Sequence, residues 1–516
     1  MSPRVTLVVT ETTGDDAGAV ERTLDSLLRQ DDRDWEAVVT APTSLTPGGG
    51  HRTSRRGHLP DRHDSRIRTV PVSGQSDLHH LLQAGLEAAR GSFVGILAAG
   101  DQVEPGTLAA AVPFFAAHDV IYTDEQWAAE GAEGIATKPD WVPQNLESYP
   151  YLGRLTLVRT ELARRVGGFR EGFAGAEEWD LALRATETTD RVGHLPLIGV
   201  TRAAPPPHDS SCTLAGAHAV QLRLARTGRV GDVVPAEVPR GVRAWLALPT
   251  PPPLVSIIIP TAGGRRVVRG RDTLLVEQCL RSLRDTTTYD AWEVVLVVGE
   301  GIADDVLDEV RALVPEERLV VTRVAGRFNF STSVNEAARV ARGSLLLLLN
   351  DDTEVVEPRW LERMVTVAQD PGVGAVGAKL LFENGTIQHL GITFDDTHGP
   401  IHALGSEVDG VGRWGAKVLD SGWAAVTGAC LLVPADLFAE VGGFCTDLPL
   451  NYNDVDFCLK IRATGRSVVC TPFATLFHYE SSSRGHALEP WEYTTLHERW
   501  RLRILADPYV QYRSNF

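Results

Sequence analysis

The chain has little cysteine, almost no lysine and no long apolar run. Its six cysteines, Cys212, Cys279, Cys430, Cys445, Cys458 and Cys470, show no CxxC spacing. They read as buried thiols of a reducing compartment, which excludes a disulfide framework and a cysteine zinc site. Only four of the 50 basic residues are lysine and the net charge is −17, so the basic face that a nucleic-acid partner requires is missing. The run Leu345 to Leu349 is five residues long, far below the ~20 of a membrane span. Met1 is followed by strand-like VTLVV, with no basic segment and no apolar core of a signal peptide. A cytoplasmic protein without a transmembrane segment is expected, with peripheral association on the inner face of the membrane left open. There is no P-loop, no GxSxG elbow, no GxGxxG after a strand, and no Ser/His or Cys/His nucleophile pairing.

What is present is a duplication. The length of 516 residues exceeds one ordinary domain, and 43% hydrophobic residues suffice for buried cores. VTLVVT at Val5 is echoed by VSIIIPT at Val255, WEAVV at Trp35 by WEVVL at Trp292, and ARGSFVGIL by ARGSLLLLL. VGGF occurs at Val166 and Val441, and EWDLALR at Glu178 matches DVDFCLK at Asp454. Alternating strand and helix patterns in each copy predict an α/β fold with a parallel-rich sheet. The expected division is a first domain over 1–242, a proline-rich linker over 243–253, and a second domain over 254–516 ending in a helical tail. Ala41 to Arg66, rich in Gly, Pro, Ser, His and Arg, reads as a long surface loop.

The second copy carries the chemistry. Its leucine run reads as a strand buried on both faces that ends in Asn350, Asp351 and Asp352. Ligands of open α/β sheets bind at the carboxyl ends of such strands. Paired carboxylates there suit a hard divalent cation, or equally a capped turn. The first copy has Ala98, Ala99 and Gly100 at this place, with only Asp101 acidic. Asp454 and Asp456 open an amphipathic run. Asp456 suits a helix start, and Asp454, further out, could accept a proton from a hydroxyl. His478 ends a short apolar strand; it is either a core histidine or a metal ligand. Ser483 and Arg484 in the SSSRG run could meet phosphate oxygens, or lie in a solvated loop.

As a set, PLVSIIIPT, RFNFSTSVNEAARVARG, LLLLLNDDTEV, VGAVGAKLLFENGTIQHLG, VTGACLLVPADLFAEVGGF, NDVDFCLK and FHYESSSRG resemble family 2 glycosyltransferases of the GT-A fold. The similarity is to bacterial two-domain enzymes of O-antigen and surface-polysaccharide synthesis, rhamnosyltransferases among them. The first half joins through YTDE, KPDW and RVGGFREGF. The resemblance implies two tandem GT-A domains, the first degenerate. It implies inverting transfer, aided by Mn2+ or Mg2+, from a nucleotide-diphosphate sugar to a hydroxyl of a glycan, glycolipid or small-molecule acceptor. A polymerising or furanosyl transferase of the same fold, or a non-catalytic sugar-nucleotide-binding assembly protein, is the alternative. By position, the resemblance makes Asp454 the base, and Asp352, Asp351 and His478 the metal residues. Thr261, Asn335, Asn350, Asp351, Thr427, Gly428 and Arg484 fall on the donor side, with Asp456 as a supporting or helix-capping residue. Val298 stands where the family carries a base-contacting acid. Thr201 or Arg202 stands where the first copy would need a histidine, and Glu177 and Glu178 lie near its base position. The first domain is therefore expected to scaffold, to form a homodimer or to guide the acceptor.

Overall fold

The computed structural model describes residues 3–12, 15–16, 18–43, 64–73, 77–129, 132–206, 209–395, 397, 399–402, 410–479 and 490–509. The chain forms two compact units, Met1–Trp245 and Leu246–Phe516. Each is an α/β unit, the class that the alternating patterns predict.

The first unit's main sheet runs, in spatial order, Ile67–Val72, Trp35–Pro42, Val5–Thr10, Phe93–Ala98, Leu157–Arg159, Val120–Ala129, Val192–Arg202 and Gln102–Val103. The second unit's runs Leu319–Val324, Trp292–Gly299, Val255–Thr261, Leu345–Leu349, Cys430–Pro434, Val373–Leu381, Ser467–His478 and Thr353–Val355. The parallel and antiparallel steps fall at the same places in both. Register agrees residue by residue: Val5 pairs with Trp35 and Phe93, and Val255 with Trp292 and Leu345. The duplication seen in the sequence is therefore a duplication of topology.

Apolar runs make the central strands. Val255–Thr261 and Leu345–Leu349 are buried along their whole length, as a strand covered on both faces must be. The helix Leu275–Thr286 covers them with Val276, Cys279, Leu280 and Leu283, the spacing of one helical face. Each such side chain contributes about 1.5–3 kcal/mol by leaving water.

A buried carboxylate is duplicated with the sheet. Glu36 accepts from Thr6 Oγ1 at 2.7 Å and from the Arg90 N–H at 2.7 Å, and Thr6 Oγ1 accepts from the Gly91 N–H. Glu293 does the same with Ser256 Oγ at 2.6 Å and the Arg342 N–H at 2.8 Å, and Ser256 Oγ accepts from the Gly343 N–H. The glutamate in WE thus ties two strand starts to the ARG turn. Burial alone would raise the Glu293 pKa, but the bonds from Ser256 and Arg342 outweigh it and hold it below its ordinary 4.5. Its stabilisation is therefore complete above about pH 4.5 and is lost as pH falls through the lowered value. Glu293→Ala should cost about 3 kcal/mol, because it orphans buried donors. Urea unfolding at pH 7 should show this, with a smaller difference from wild type at pH 3.

Some elements depart from the sequence reading. The strand expected near Val192–Leu195 continues to Arg202, through register shifts against its neighbour. Arg265–Val268 and Arg271–Leu274 form a hairpin that alternation did not reveal. Among the described residues the cysteines are unpaired, five of them buried and Cys445 half-buried. No described helix is long and apolar enough to cross a membrane.

Candidate active site

The leucine strand delivers Asn350, Asp351 and Asp352 to a turn at its carboxyl end. The turn is held from below: Cys279 Sγ lies 3.7 Å from the Asn350 carbonyl oxygen and 3.5 Å from Thr353 Oγ1. Burial pushes the Cys279 thiol up to about 12, so it is a packing group. Thr261, the last residue of the neighbouring strand, donates from Oγ1 to Asp351 Oδ2 at 2.6 Å. Asp352 points the other way. Its Oδ1 is 3.1 Å from His478 Nε2, and Asn350 Nδ2 lies 3.3 Å from the same nitrogen. The pairing of Thr353 with His478 across two antiparallel strands brings them together.

This donor set fits a divalent cation. Carboxylate oxygen and imidazole nitrogen are ligands that Mn2+ accepts. Two ligands held about 2.1 Å from one ion at a right angle stand ~3.0 Å apart, close to the 3.1 Å between Asp352 Oδ1 and His478 Nε2.

The second arm of the site holds Asp454, half-buried in the first turn of the helix Asn453–Ala463. Its Oδ2 accepts from the Gly428 N–H at 2.9 Å, and its Oδ1 from the Val455 N–H at 2.8 Å. A Cβ on Gly428 would lie 3.4 Å from the Asp454 Cβ, so the 427–428 segment packs directly on the carboxylate. One residue further, the Ala429 carbonyl accepts from the Asn350 N–H at 3.0 Å. The base candidate and the acidic turn are therefore joined by two backbone steps. The residue before the helix, Tyr452, has φ 59, a left-handed conformation unusual for an aromatic residue.

Three supports escaped the sequence reading. Gln388 bonds to both the His478 ring and its carbonyl oxygen. His389 accepts from the Thr427 N–H at 3.3 Å, and its Nδ1 is 3.2 Å from His402 Nδ1. Burial, and then the neighbouring histidines, keep its pKa far below the usual range. Glu492, fully buried on the helix Pro490–Leu505, accepts from the N–H groups of Leu450 and Asn451, just ahead of Asp454. The QH pair in GTIQHLG was the available signal for the first two. Nothing local marks Glu492.

Other assignments need correction. Asp456 does not cap its helix. It is fully buried, accepts from Trp500 Nε1 at 2.8 Å, and pairs with Arg499 at 2.9 Å and Lys460 at 3.4 Å. It docks the C-terminal helix, because a charge so deep must be matched by cations and donors. Asn335 is committed elsewhere: its amide donates to the Phe444 carbonyl oxygen at 2.9 Å and accepts from the Phe444 N–H at 2.8 Å. Gln83 takes the Phe169 N–H in the first unit in the same way. An amide clamp on VGGF that recurs without the acidic turn is a fold element. Ser483 and Arg484 lie outside the described residues.

In the first unit the strand register puts Gly100 at the place of Asp352, and Arg202 at that of His478. Arg154 lies 3.1 Å from Asp101 and 3.1 Å from Glu178, the counterpart of Asp454. Arg202 is 3.3 Å from Glu125. Burial alone would raise the Glu125 pKa, but Lys138, Arg202 and Arg154 bring it down to about 2. A guanidinium group therefore stands where the second unit has the His478 imidazole, and a second one, that of Arg154, lies between Asp101 and Glu178. The YTDE and KPDW motifs supply Glu125 and Lys138 to this network.

Residues 251–502 match the family described as glycosyltransferase like family 2. The chain is 35% identical over 494 residues to the O-antigen biosynthesis protein RfbC of Myxococcus xanthus, covering 92% of this chain and 38% of that protein. It is 33% identical over 535 residues to an uncharacterized protein, y4gI, of Sinorhizobium fredii, covering 98% and 57%. The chain thus spans about half the length, or less, of the curated relatives it matches. Among solved structures it is similar to GalNAc-T7 with UDP, GalNAc and Mn2+, with TM-score 0.39, 14% identity, and 49% and 50% of the two chains covered. It is also similar to the mannosyltransferase PcManGT of Pyrobaculum calidifontis in complex with GDP-Man and Mn2+, with TM-score 0.31, 18% identity, and 50% and 64% covered. Over residues 251–502, within its second unit, the chain therefore carries a domain of the family described as glycosyltransferase like family 2.

Proposed function

We propose that the second unit transfers a sugar, with inversion, from a nucleotide-diphosphate sugar to a hydroxyl of a glycan, glycolipid or small-molecule acceptor. The observation that carries this is the meeting of Asp352 and His478 at 3.1 Å, with Asp454 held by Gly428 next to the same turn. Mn2+ or Mg2+ bound by Asp352 and His478 would neutralise charge on the departing diphosphate. Thr261 orients Asp351, and Asp454 takes the proton from the acceptor hydroxyl as the new bond forms. Thr427 and Gly428 are fixed beside that carboxylate and shape the space between sugar and acceptor. Arg484 is assigned to the diphosphate by resemblance. The similarity to an O-antigen biosynthesis protein across most of this chain supports cell-surface glycan assembly as the setting.

The test is turnover of a panel of nucleotide sugars with and without Mn2+. Metal-dependent release of nucleoside diphosphate from one donor supports the reading. Tight nucleotide binding without turnover of any donor or acceptor would instead identify a sugar-nucleotide-binding assembly protein.

The first unit is read as a non-catalytic partner. With Gly100 and Arg202 in place of Asp352 and His478, it should take up no ion at that place, so calorimetric titration of the full chain carrying His79→Ala and His80→Ala, which removes the separate Asp77, His79 and His80 cluster, should give one Mn2+ per chain. Glu178→Gln should leave the transfer rate at the wild-type level. Two ions per chain, or a large loss of rate, would make the first unit a second catalyst.

A further inference from the structure

We infer that Gln388 is a positioning residue that fixes His478 in the tautomer able to bind a metal ion; this rests on the proposed metal site. Gln388 lies on the short strand Ile387–His389 and is 5% exposed. Its Nε2 lies 3.1 Å from the His478 carbonyl oxygen, and its Oε1 lies 2.6 Å from His478 Nδ1. A carbonyl oxygen can only accept. The amide NH2 must therefore face it, which fixes the orientation of the amide without reference to the ring. The other end presents an acceptor to Nδ1, so Nδ1 carries the hydrogen and, in the neutral ring, Nε2 keeps its lone pair.

That lone pair is directed into the acidic turn, 3.1 Å from Asp352 Oδ1 and 3.3 Å from Asn350 Nδ2. Asn350 can donate to it, which agrees with the assignment. Asp352 cannot, and its carboxylate oxygen and that nitrogen form a pair of ligand atoms that one cation can share. A metal-binding histidine commonly donates its other N–H to an outer acceptor, which sets the ring and raises its basicity. Gln388 supplies that acceptor here. It also holds the His478 backbone, so ring and chain are located by one side chain.

The test uses the full chain and Mn2+, with free Mn2+ read by electron paramagnetic resonance and folding checked by circular dichroism. Gln388→Met keeps the size and removes the acceptor. It should weaken Mn2+ binding by about 10–100-fold with the fold intact. Gln388→Glu keeps an acceptor at Nδ1 but turns an acceptor toward the His478 carbonyl. It should retain near wild-type Mn2+ affinity. A merely structural glutamine would predict the reverse, with Glu at least as damaging as Met. Wild-type affinity in Gln388→Met while His478→Ala loses the ion would overturn the positioning role alone. Unchanged Mn2+ binding in His478→Ala would remove the metal site and this role together.

Discussion

Asp454→Asn is expected to lower sugar transfer by about 10²–10⁴-fold, the usual contribution of a general base, while donor affinity stays near wild type. The geometry makes this substitution informative. Asp454 uses both oxygens, one for the Gly428 N–H and one for the Val455 N–H. Asparagine keeps one acceptor oxygen and loses the other. The structural loss is therefore one hydrogen bond, about 0.5–1.5 kcal/mol, and the fold should survive. Steady-state kinetics alongside a donor titration would separate the effects. A fall in kcat with an unchanged donor Kd assigns the proton-accepting role. Wild-type turnover would remove Asp454 from it, and a parallel collapse of donor binding would mean that the carboxylate merely holds the 427–428 segment.

The second large effect is expected at Asp352. Asp352→Ala removes one of the two proposed ligands, which meet at 3.1 Å. Mn2+ affinity should fall by more than the ~10–100-fold typical of losing an outer support, and metal-dependent donor binding should fall with it. The sign of the stability change is the control. Asp351 and Asp352 are adjacent carboxylates, and like charges at short range disfavour each other. Removing one in metal-free buffer should leave the melting temperature unchanged or raise it. Added Mn2+ should stabilise the wild type by preferential binding to the folded state and leave the variant unmoved. A variant that melts well below wild type without metal would show that Asp352 serves the fold first.

Reading the chain in one dimension succeeded where the signal is local and failed where partners are distant. The leucine run, the acids that end it and the histidine closing the last long strand all stand out by composition and position. Asn335 and Asp456 were misjudged because a motif records which residue stands at a place, without its partners. Asn335 finds its partner 109 residues away at Phe444. Asp456 finds Trp500 and Arg499 on a helix whose sequence shows no sign of the contact. Gln388 is 90 residues from His478 and becomes visible only when the side strand that pairs with Val373–Leu381 brings it to the end of the last long one. In the first unit, Thr201 and Arg202 were equal candidates for the missing histidine. The register of Val200 and Thr201 against Val103 and Gln102 selects Arg202.

The amino-acid order by itself determined the α/β class, the doubling of one topology, and the restriction of the acidic turn to the second half. Those follow from hydrophobic period and residue type, which neighbours in the chain carry. Only the tertiary structure decided which oxygens and nitrogens meet: His478 on Asp352, Gly428 on Asp454, and in the first half Arg202 on Glu125 and Arg154 on Asp101. Hydrogen bonds and ion pairs act over about 3 Å, and folding alone brings residues that lie far apart in the chain within that reach.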